Sequence, residues 1–324
     1  MLRQLAWVGL TLCALVCWTA TASAQQAYGV DSTGKLFWFD VNTPSVVNDV
    51  GVISGIALNS IPEAIDFRPG SLSLYAIDIG PNTSQLYTID LNTAVATPVG
   101  AGFTSTGVGY DLLGNQKFGF DFNPTTLQMS DGSMRIRLVA SGGSNLRLHS
   151  ATGGIAGVDG QLLFGSGASP FVDGAAYINN NPTIGGATTL FDMDSRNDEL
   201  LIQNPPNAGT VTSVGPFGVT IDALSGIGFD IYTIPGNTDT SLVGDSGFAV
   251  FQRTATAGGA YLLYDVDLAT GATTNGAIVG PAATPYDFTG GFAVAPLPVP
   301  EPSAIMLGLL AVAGGVAFAR RKAA

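Results

Sequence analysis

One phrase recurs five times along the chain and limits the folds that the chain can adopt. In each copy apolar and polar residues largely alternate and then run into a short polar turn, most often Asp-x-x-Thr. The copies lie at Leu36–Thr43, Leu86–Thr93, Leu146–Gly153, Leu190–Asp194 and Leu262–Gly271. Alternation with a period of two into a polar turn is typical of a β-strand that enters a hairpin. The repeat therefore predicts a series of similar β-sheet units.

Two further phrases give the size of each unit. A Val-Gly phrase follows at Asp49–Gly51, Pro98–Gly100, Ser213–Gly215 and Ile278–Gly280. The phrase that opens the next unit lies at Ala64–Phe67, Phe118–Phe122, Ile227–Ile231 and Gly291–Val294. Asp66 and Asp121 are 55 residues apart, and Asp121 and Asp230 are 109 apart, so one more unit lies between the latter two. Units of this length with four strands each indicate the blades of a β-propeller.

The strand count predicts an all-β propeller of five four-stranded blades; six or seven blades, or an open stack of sheets, are the alternatives. The first blade has three strands near the amino end, Ala27–Val30, Leu36–Phe39 and Val46–Val50, and the third blade runs to about Phe164. We expect Phe292–Ala295 to supply the missing innermost strand of the first blade, which leaves no exposed sheet edge. The composition agrees. The 43 glycines are typical of a turn-rich chain, and a chain with only three glutamates should have little helix, because the exposed faces of amphipathic helices usually contain more glutamate.

The amino-terminal segment, residues 1–24, has the layout of a cleaved signal peptide. Arg3 supplies the positive charge, a largely apolar run follows, and Ala22-Ser23-Ala24 is an A-x-A cleavage site before Gln25. The chain's two cysteines lie within this segment, so the domain that begins at Gln25 contains no thiol and no disulfide. We expect this domain to span residues 25–296.

The carboxyl-terminal segment, residues 297–324, has three parts. Pro300-Glu301-Pro302 gives an extended peptide, the uncharged stretch 304–319 is long enough as a helix to lodge marginally in a bilayer, and Arg320, Arg321 and Lys322 form a basic end. This layout resembles the PEP-CTERM sorting signal of Gram-negative bacteria; an ordinary single-span anchor is the alternative. The resemblance implies transient anchoring in the inner membrane through 304–319 and removal of the tail by an exosortase-type peptidase.

The domain itself resembles a secreted family of unknown function that precedes PEP-CTERM tails. The resemblance rests on Leu86–Asp90 with Thr97–Gly100, and on Gln203–Asn207 with Val214-Gly215. It implies no activity, cofactor or catalytic residue.

Charge and residue content exclude several classes of protein. Four of the 12 basic residues and one of the 24 acidic residues lie in the two terminal segments, so the domain carries a net charge near −15 and does not suit nucleic acid. His149 is the only histidine, which leaves no second nitrogen ligand for a zinc site, and no G-x-S-x-G motif accompanies it, which argues against a nucleophilic triad. Trp38 is the only tryptophan after residue 24, whereas sugar-binding grooves usually present several aromatic platforms. We therefore predict no catalytic residues and no enzyme activity.

Two sets of aspartates recur with the repeat. Asp40, Asp90, Asp194 and Asp267 end the repeated strand, where we expect each carboxylate to accept hydrogen bonds from turn amides. Asp66, Asp121 and Asp230 recur on the predicted innermost strands and should share one orientation. Two interpretations follow: the carboxylates converge on a cation, for which Ca²⁺ is the natural candidate, or each accepts hydrogen bonds from backbone amides. Otherwise no cofactor is expected.

The sequence thus predicts an exported surface or matrix protein with a non-catalytic binding or structural role. Its expected place is the cell envelope, outer surface or extracellular matrix of a Gram-negative bacterium, with exopolysaccharide (as in a biofilm) or surface proteins as partners besides the peptidase. The alternatives are a calcium-dependent propeller enzyme that acts on a sugar or lactone, and a carbohydrate-binding module.

Overall fold

The computed structural model describes residues 25–57, 61–126, 133–180, 187–223, 225–235, 237, 241–254, 259–289 and 291–296. The predicted signal peptide, with Ala22 and Ala24, and the predicted sorting segment, with Pro300, Glu301, Pro302, Arg320, Arg321 and Lys322, lie outside these residues. Among the residues described, no helix is long and apolar enough to cross a membrane. The predicted span 304–319 is not among them.

The described residues form five sheets of four or five strands, here called blades 1 to 5, in which all neighbouring strands but one pair are antiparallel. Blade 1 contains β1 (Gln26–Val30), β2 (Lys35–Asp40) and β3 (Val47–Val52). Blade 2 contains β4 (Ala64–Phe67), β5 (Leu74–Ile79), β6 (Thr83–Ile89) and β7 (Ala96–Thr104), and a small hairpin of β8 (Thr106–Gly107) and β9 (Tyr110–Asp111) follows it. Blade 3 contains β10 (Phe118–Asn123), β11 (Arg135–Ala140), β12 (Asn145–His149) and β13 (Ile155–Val158).

Blade 4 contains β14 (Leu163–Phe164), β15 (Val172–Tyr177), β16 (Leu190–Asp194), β17 (Glu199–Gln203) and β18 (Thr210–Pro216). Blade 5 contains β19 (Gly228–Thr233), β20 (Asp245–Gln252), β21 (Tyr261–Val266) and β22 (Thr273–Ile278), and β23 (Phe292–Val294) returns to blade 1. Short 3₁₀ turns lie at Pro124–Thr126 and Pro206–Ala208. The fold is therefore all-β, as the sequence predicted.

The five blades close into a ring, which confirms the predicted propeller. The innermost strands β23, β4, β10, β15 and β19 each contact the next one, and β19 contacts β23. Blade 1 has the order β23-β1-β2-β3, and the last strand pairs antiparallel with the first, with Ala27 opposite Val294 and Gly29 opposite Phe292. This is the predicted closure by the two ends of the domain. It leaves the inner edge of β1 paired.

One boundary differs from the expectation. Leu163 and Phe164, expected at the end of blade 3, form β14 and pair in parallel with Thr210 and Val211 of blade 4. A two-residue strand has too few positions for an alternating pattern, so the sequence could not assign it to a blade.

Glycines let the innermost strands approach one another closely. A Cβ atom at Gly228 would lie 2.2 Å from the Cβ of Phe292 in β23, and one at Gly174 would lie 2.9 Å from the Cβ of Phe229. Gly119 meets Ala175 in the same way, at 2.6 Å. The glycine of the repeated opening phrase is therefore required by packing at the centre of the ring.

Candidate functional site

The three aspartates of the opening phrase meet at the centre of the ring. Asp66 lies on β4, Asp121 on β10 and Asp230 on β19, and their exposed fractions are 4, 1 and 3 %. One carboxylate oxygen from each residue lies within 4.8 Å of the others. The structure thus brings together the residues that the sequence selected as candidate cation ligands.

Backbone N–H groups from all five innermost strands donate to these carboxylates. In three of the five hydrogen bonds the donor belongs to the next blade, so the carboxylates connect neighbouring blades. The bonds, 2.6 to 3.2 Å long, run from Phe67 and Phe122 to Asp66, from Tyr177 to Asp121, and from Ile231 and Val294 to Asp230. The predicted amide-acceptor role is therefore confirmed.

Blades 1 and 4 have no carboxylate at the position that corresponds to Asp121. Ala176 and Ala293 occupy the position before the donor in β15 and β23, where β10 has Asp121. Three carboxylates therefore offer six oxygens to five N–H donors. Asp121 Oδ1 is the oxygen left over: it is buried and has no hydrogen-bond partner among the described residues.

Burial raises the pKa of all three carboxyl groups, and repulsion from neighbouring carboxylates adds to the shift at Asp66 and Asp121. Desolvation is the main cause at each residue; Asp230 adds to it at Asp66, and both Asp66 and Asp230 add to it at Asp121. The pKa of Asp230 rises to about 7, although the amides of Val294 and Ile231 oppose the shift. At neutral pH the cluster consequently holds a proton or attracts a cation, because three unscreened negative charges at this distance are unfavourable.

A small cavity of about 80 Å³ opens onto the same axis at the amino ends of the innermost strands. Its lining includes Ile65, Phe120 and Phe229, each of which directly precedes one of the three clustered aspartates in the sequence. Glu63 and Asp173 carry carboxyl groups there, and desolvation raises the pKa of both, that of Asp173 to about 8. Lys117 also lines the cavity and opposes both shifts. Sequence reasoning missed these three residues, because none of them belongs to the repeated phrases.

The second set of aspartates has the predicted turn role. Asp40, Asp90, Asp194 and Asp267 each accept a hydrogen bond from the backbone N–H two residues later, at 2.8 to 3.1 Å. His149 is placed apart from this pattern: its Nδ1 lies 3.2 Å from the Ser133 hydroxyl oxygen.

A buried arginine between blades 3 and 4 was not predicted. Arg137, 1 % exposed, donates to Asp159 (2.7 Å), Asn145 (2.7 Å), Asn207 (2.9 Å) and Tyr177 (3.3 Å). Its strand, β11, begins with alternating basic and apolar residues, a pattern that predicts one solvent-exposed face of the sheet. Both faces of a propeller blade are covered by neighbours, however, so alternation does not report exposure there.

Comparisons with known proteins agree with the two parts of the chain. The family described as "Domain of unknown function (DUF4394)" matches residues 35–288, and the PEP-CTERM protein-sorting motif matches residues 298–322. No curated protein matches the chain.

Several solved structures resemble the domain at low similarity. The Aleuria aurantia lectin in complex with Fucα1-6GlcNAc is 15 % identical, with 80 % of this chain and 76 % of that chain covered and a TM-score of 0.43. TolB from Acinetobacter baumannii is 14 % identical, with 85 and 67 % covered and a TM-score of 0.39. A putative 6-phosphogluconolactonase from Bacteroides uniformis is 15 % identical, with 79 and 68 % covered and a TM-score of 0.34. These values carry no information about the ligand of this chain.

Proposed function

Since the chain belongs to the DUF4394 family and carries a PEP-CTERM motif, we propose that it is a non-catalytic binding or structural protein of the cell envelope or extracellular matrix. The motif marks the chain for export across the inner membrane and for processing by an exosortase. The proposed partners beyond that peptidase are exopolysaccharide and other surface proteins of a Gram-negative bacterium.

The position of the sorting motif carries this proposal. The motif begins at residue 298, after the closing strand β23 has ended at Val294. A cut near Pro302 would leave all five blades and their closing strand in one piece. The released product would then be a folded propeller without a membrane anchor, as a surface or matrix component requires.

The proposal is tested by the mass of the protein found outside the inner membrane. We expect a product that begins at Gln25 and ends near Pro302. Glu301→Ala should leave the uncut chain in the inner membrane fraction, because it changes the tripeptide that the peptidase would recognise. Glu199→Ala, which removes the same side chain from blade 4, should be processed normally. Released protein that still carries residues 304–324 would contradict the proposal.

A calcium-dependent enzyme is the second candidate, and the axial cluster favours it. Three carboxylates lie close enough to share a cation, and a cavity opens on the same axis. Opposing this, five of the six carboxylate oxygens already accept backbone hydrogen bonds, which supports a role in joining the blades. Calcium titration of the exported protein separates the two roles.

A further inference from the structure

A groove of about 680 Å³ lies between blades 1 and 2, away from the axial cluster. Its blade 1 side includes Gln26, Tyr28 and Trp38, and its blade 2 side includes Leu74 and Ile89. This volume falls in the range of small-molecule sites, which is about 300 to 1,000 Å³. The groove is therefore large enough for a ligand of one or two sugar rings.

The floor of the groove is apolar and contains an aromatic ring. Tyr28, Leu74 and Ile89 are buried, and they form one hydrophobic cluster against which the partly exposed Trp38 packs. Leu72 and Leu91 pack against the same cluster and also line the groove. An indole held in this way offers a rigid flat surface to the C–H face of a ligand.

Two hydrogen-bond donors in the groove are unused. Gln26 is almost completely buried, with 2 % of the residue exposed, and its Oε1 accepts from the Tyr28 hydroxyl at 3.1 Å. Its Nε2 has no acceptor among the described residues, and neither has the indole N–H of Trp38. Both N–H groups are therefore available to donate hydrogen bonds to the oxygens of a ligand that enters the groove.

The rim supplies a charged acceptor. Asp90 Oδ1 accepts from the N–H groups of Asn92 and Thr93 and from the Thr93 hydroxyl, whereas Oδ2 accepts nothing from the described residues. The Asn92 amide is the main reason why the pKa of Asp90 lies below its usual value, so this carboxylate is negatively charged. It favours a ligand that donates hydroxyl groups and disfavours an anion.

We propose that this groove binds a neutral saccharide, with the ring stacked on Trp38 and its hydroxyl groups bonded to Gln26, Trp38 Nε1 and Asp90. A sugar has an apolar C–H face and a rim of hydroxyls that both donate and accept, which matches the surfaces described above. The inference rests on the proposed binding role and names the class of ligand for it.

Trp38 provides the readout, since it is the only tryptophan of the exported protein once residues 1–24 are removed. The exported protein is titrated with short neutral oligosaccharides of glucose, mannose and galactose and, as the anionic counterpart, with galacturonate oligomers. We expect a shift of the tryptophan emission with one or more neutral sugars and at least tenfold weaker binding of the anionic ones. Absence of any shift up to millimolar sugar, or a preference for the anion, would overturn the inference.

Two variants test the assigned contacts. Gln26→Glu keeps an acceptor for the Tyr28 hydroxyl but replaces the free N–H donor with an oxygen. At pH 8, and at a temperature where the melting curve shows the variant to be folded, it should weaken binding at least tenfold. Gln161→Glu adds the same charge in the exposed loop between β13 and β14 and should bind normally. Trp38→Ala, followed by calorimetry, should abolish binding. Equal affinity in all three variants would contradict the site.

The outcomes separate this inference from the proposed function. If the chain is exported and cut normally but binds no neutral sugar, only the saccharide site is wrong. If wild-type protein stays uncut in the inner membrane, the proposed function fails whatever the groove binds. If the tryptophan emission instead changes with protein concentration, the groove is a contact between copies of the chain, and the saccharide inference is overturned.

Discussion

Replacement of Asp121 by asparagine should stabilise the domain at pH 8 and reduce the dependence of its free energy of unfolding on pH. The new amide side chain would keep an oxygen for the Tyr177 N–H, the one bond that Asp121 accepts. Its NH₂ group would take the place of the unpartnered Oδ1. The substitution would also remove one of three neighbouring negative charges.

The size of the effect follows from the raised pKa values. A carboxyl group with a folded-state pKa above its unfolded value contributes its full stability below the unfolded pKa, and this contribution is lost as the pH rises through the folded pKa. For Asp230 the limits are 3.8 and about 7. A difference of roughly 3 units corresponds to about 4 kcal/mol lost between pH 4 and pH 8. Asp121→Asn removes a carboxyl group whose own pKa is raised by burial and by Asp66 and Asp230, and this should restore on the order of 1 to 2 kcal/mol at pH 8.

Urea denaturation at pH 4 and pH 8 in the presence of a chelator measures both quantities. Asp40→Asn, the same change at an exposed turn, should leave the difference between the two pH values unaltered. A calcium site predicts another result: calcium at a hundredfold excess over its dissociation constant would add about 2.7 kcal/mol to the wild type and nothing to Asp121→Asn. The reasoning is refuted if Asp121→Asn is less stable than the wild type at pH 8 in chelator and keeps the wild-type pH dependence.

Three further predictions concern the closed ring and are checked by thermal melting or urea denaturation. Gly228→Ala should cost about 1 to 3 kcal/mol or more, because its Cβ would lie 2.2 Å from that of Phe292, whereas Gly165→Ala, with no atom within 4 Å, should be nearly neutral. Arg137→Met should cost about 3 kcal/mol through the polar partners it leaves buried, and Arg147→Met at the exposed edge of the same ion pair should cost less; equal losses would contradict the assigned burial. Deletion of β23 should abolish cooperative unfolding, and an unchanged melting curve would argue for an open array of sheets.

The fold could be predicted because each copy of the repeat is recognisable from residues that are close together in the sequence. The alternating phrase that ends at Asp40 and Asp90 specifies strand and turn together, so each copy predicts one blade without knowledge of the others. The axial cluster followed for the same reason: Asp66 and Asp121 occupy one position of one phrase, and a closed ring brings equivalent positions together.

Other parts of the site depend on long-range packing that no local pattern reports. Blade 4 has Ala176 where blade 3 has Asp121, and its aspartate, Asp173, lies at a register shift between β15 and β16. The groove likewise has Gln26 of β1 and Asp90 of blade 2 in its lining, although the two residues are far apart in the sequence. Only the folded structure shows that Trp38 and Gln26 line the same groove as Asp90.

The pairing of β1 with β23 also fixes an order of events during export. A chain that crosses the membrane from its amino end presents β1 first and β23 last. The inner edge of β1 therefore stays unpaired until residue 294 has crossed. By then the sorting motif at 298–322 is the only matched segment still to follow. Ring closure therefore becomes possible only when the sorting motif is the next segment to cross. A peptidase that acts at this moment would release the chain when its last edge has just been covered, and the time available for edge-to-edge association between copies would be short.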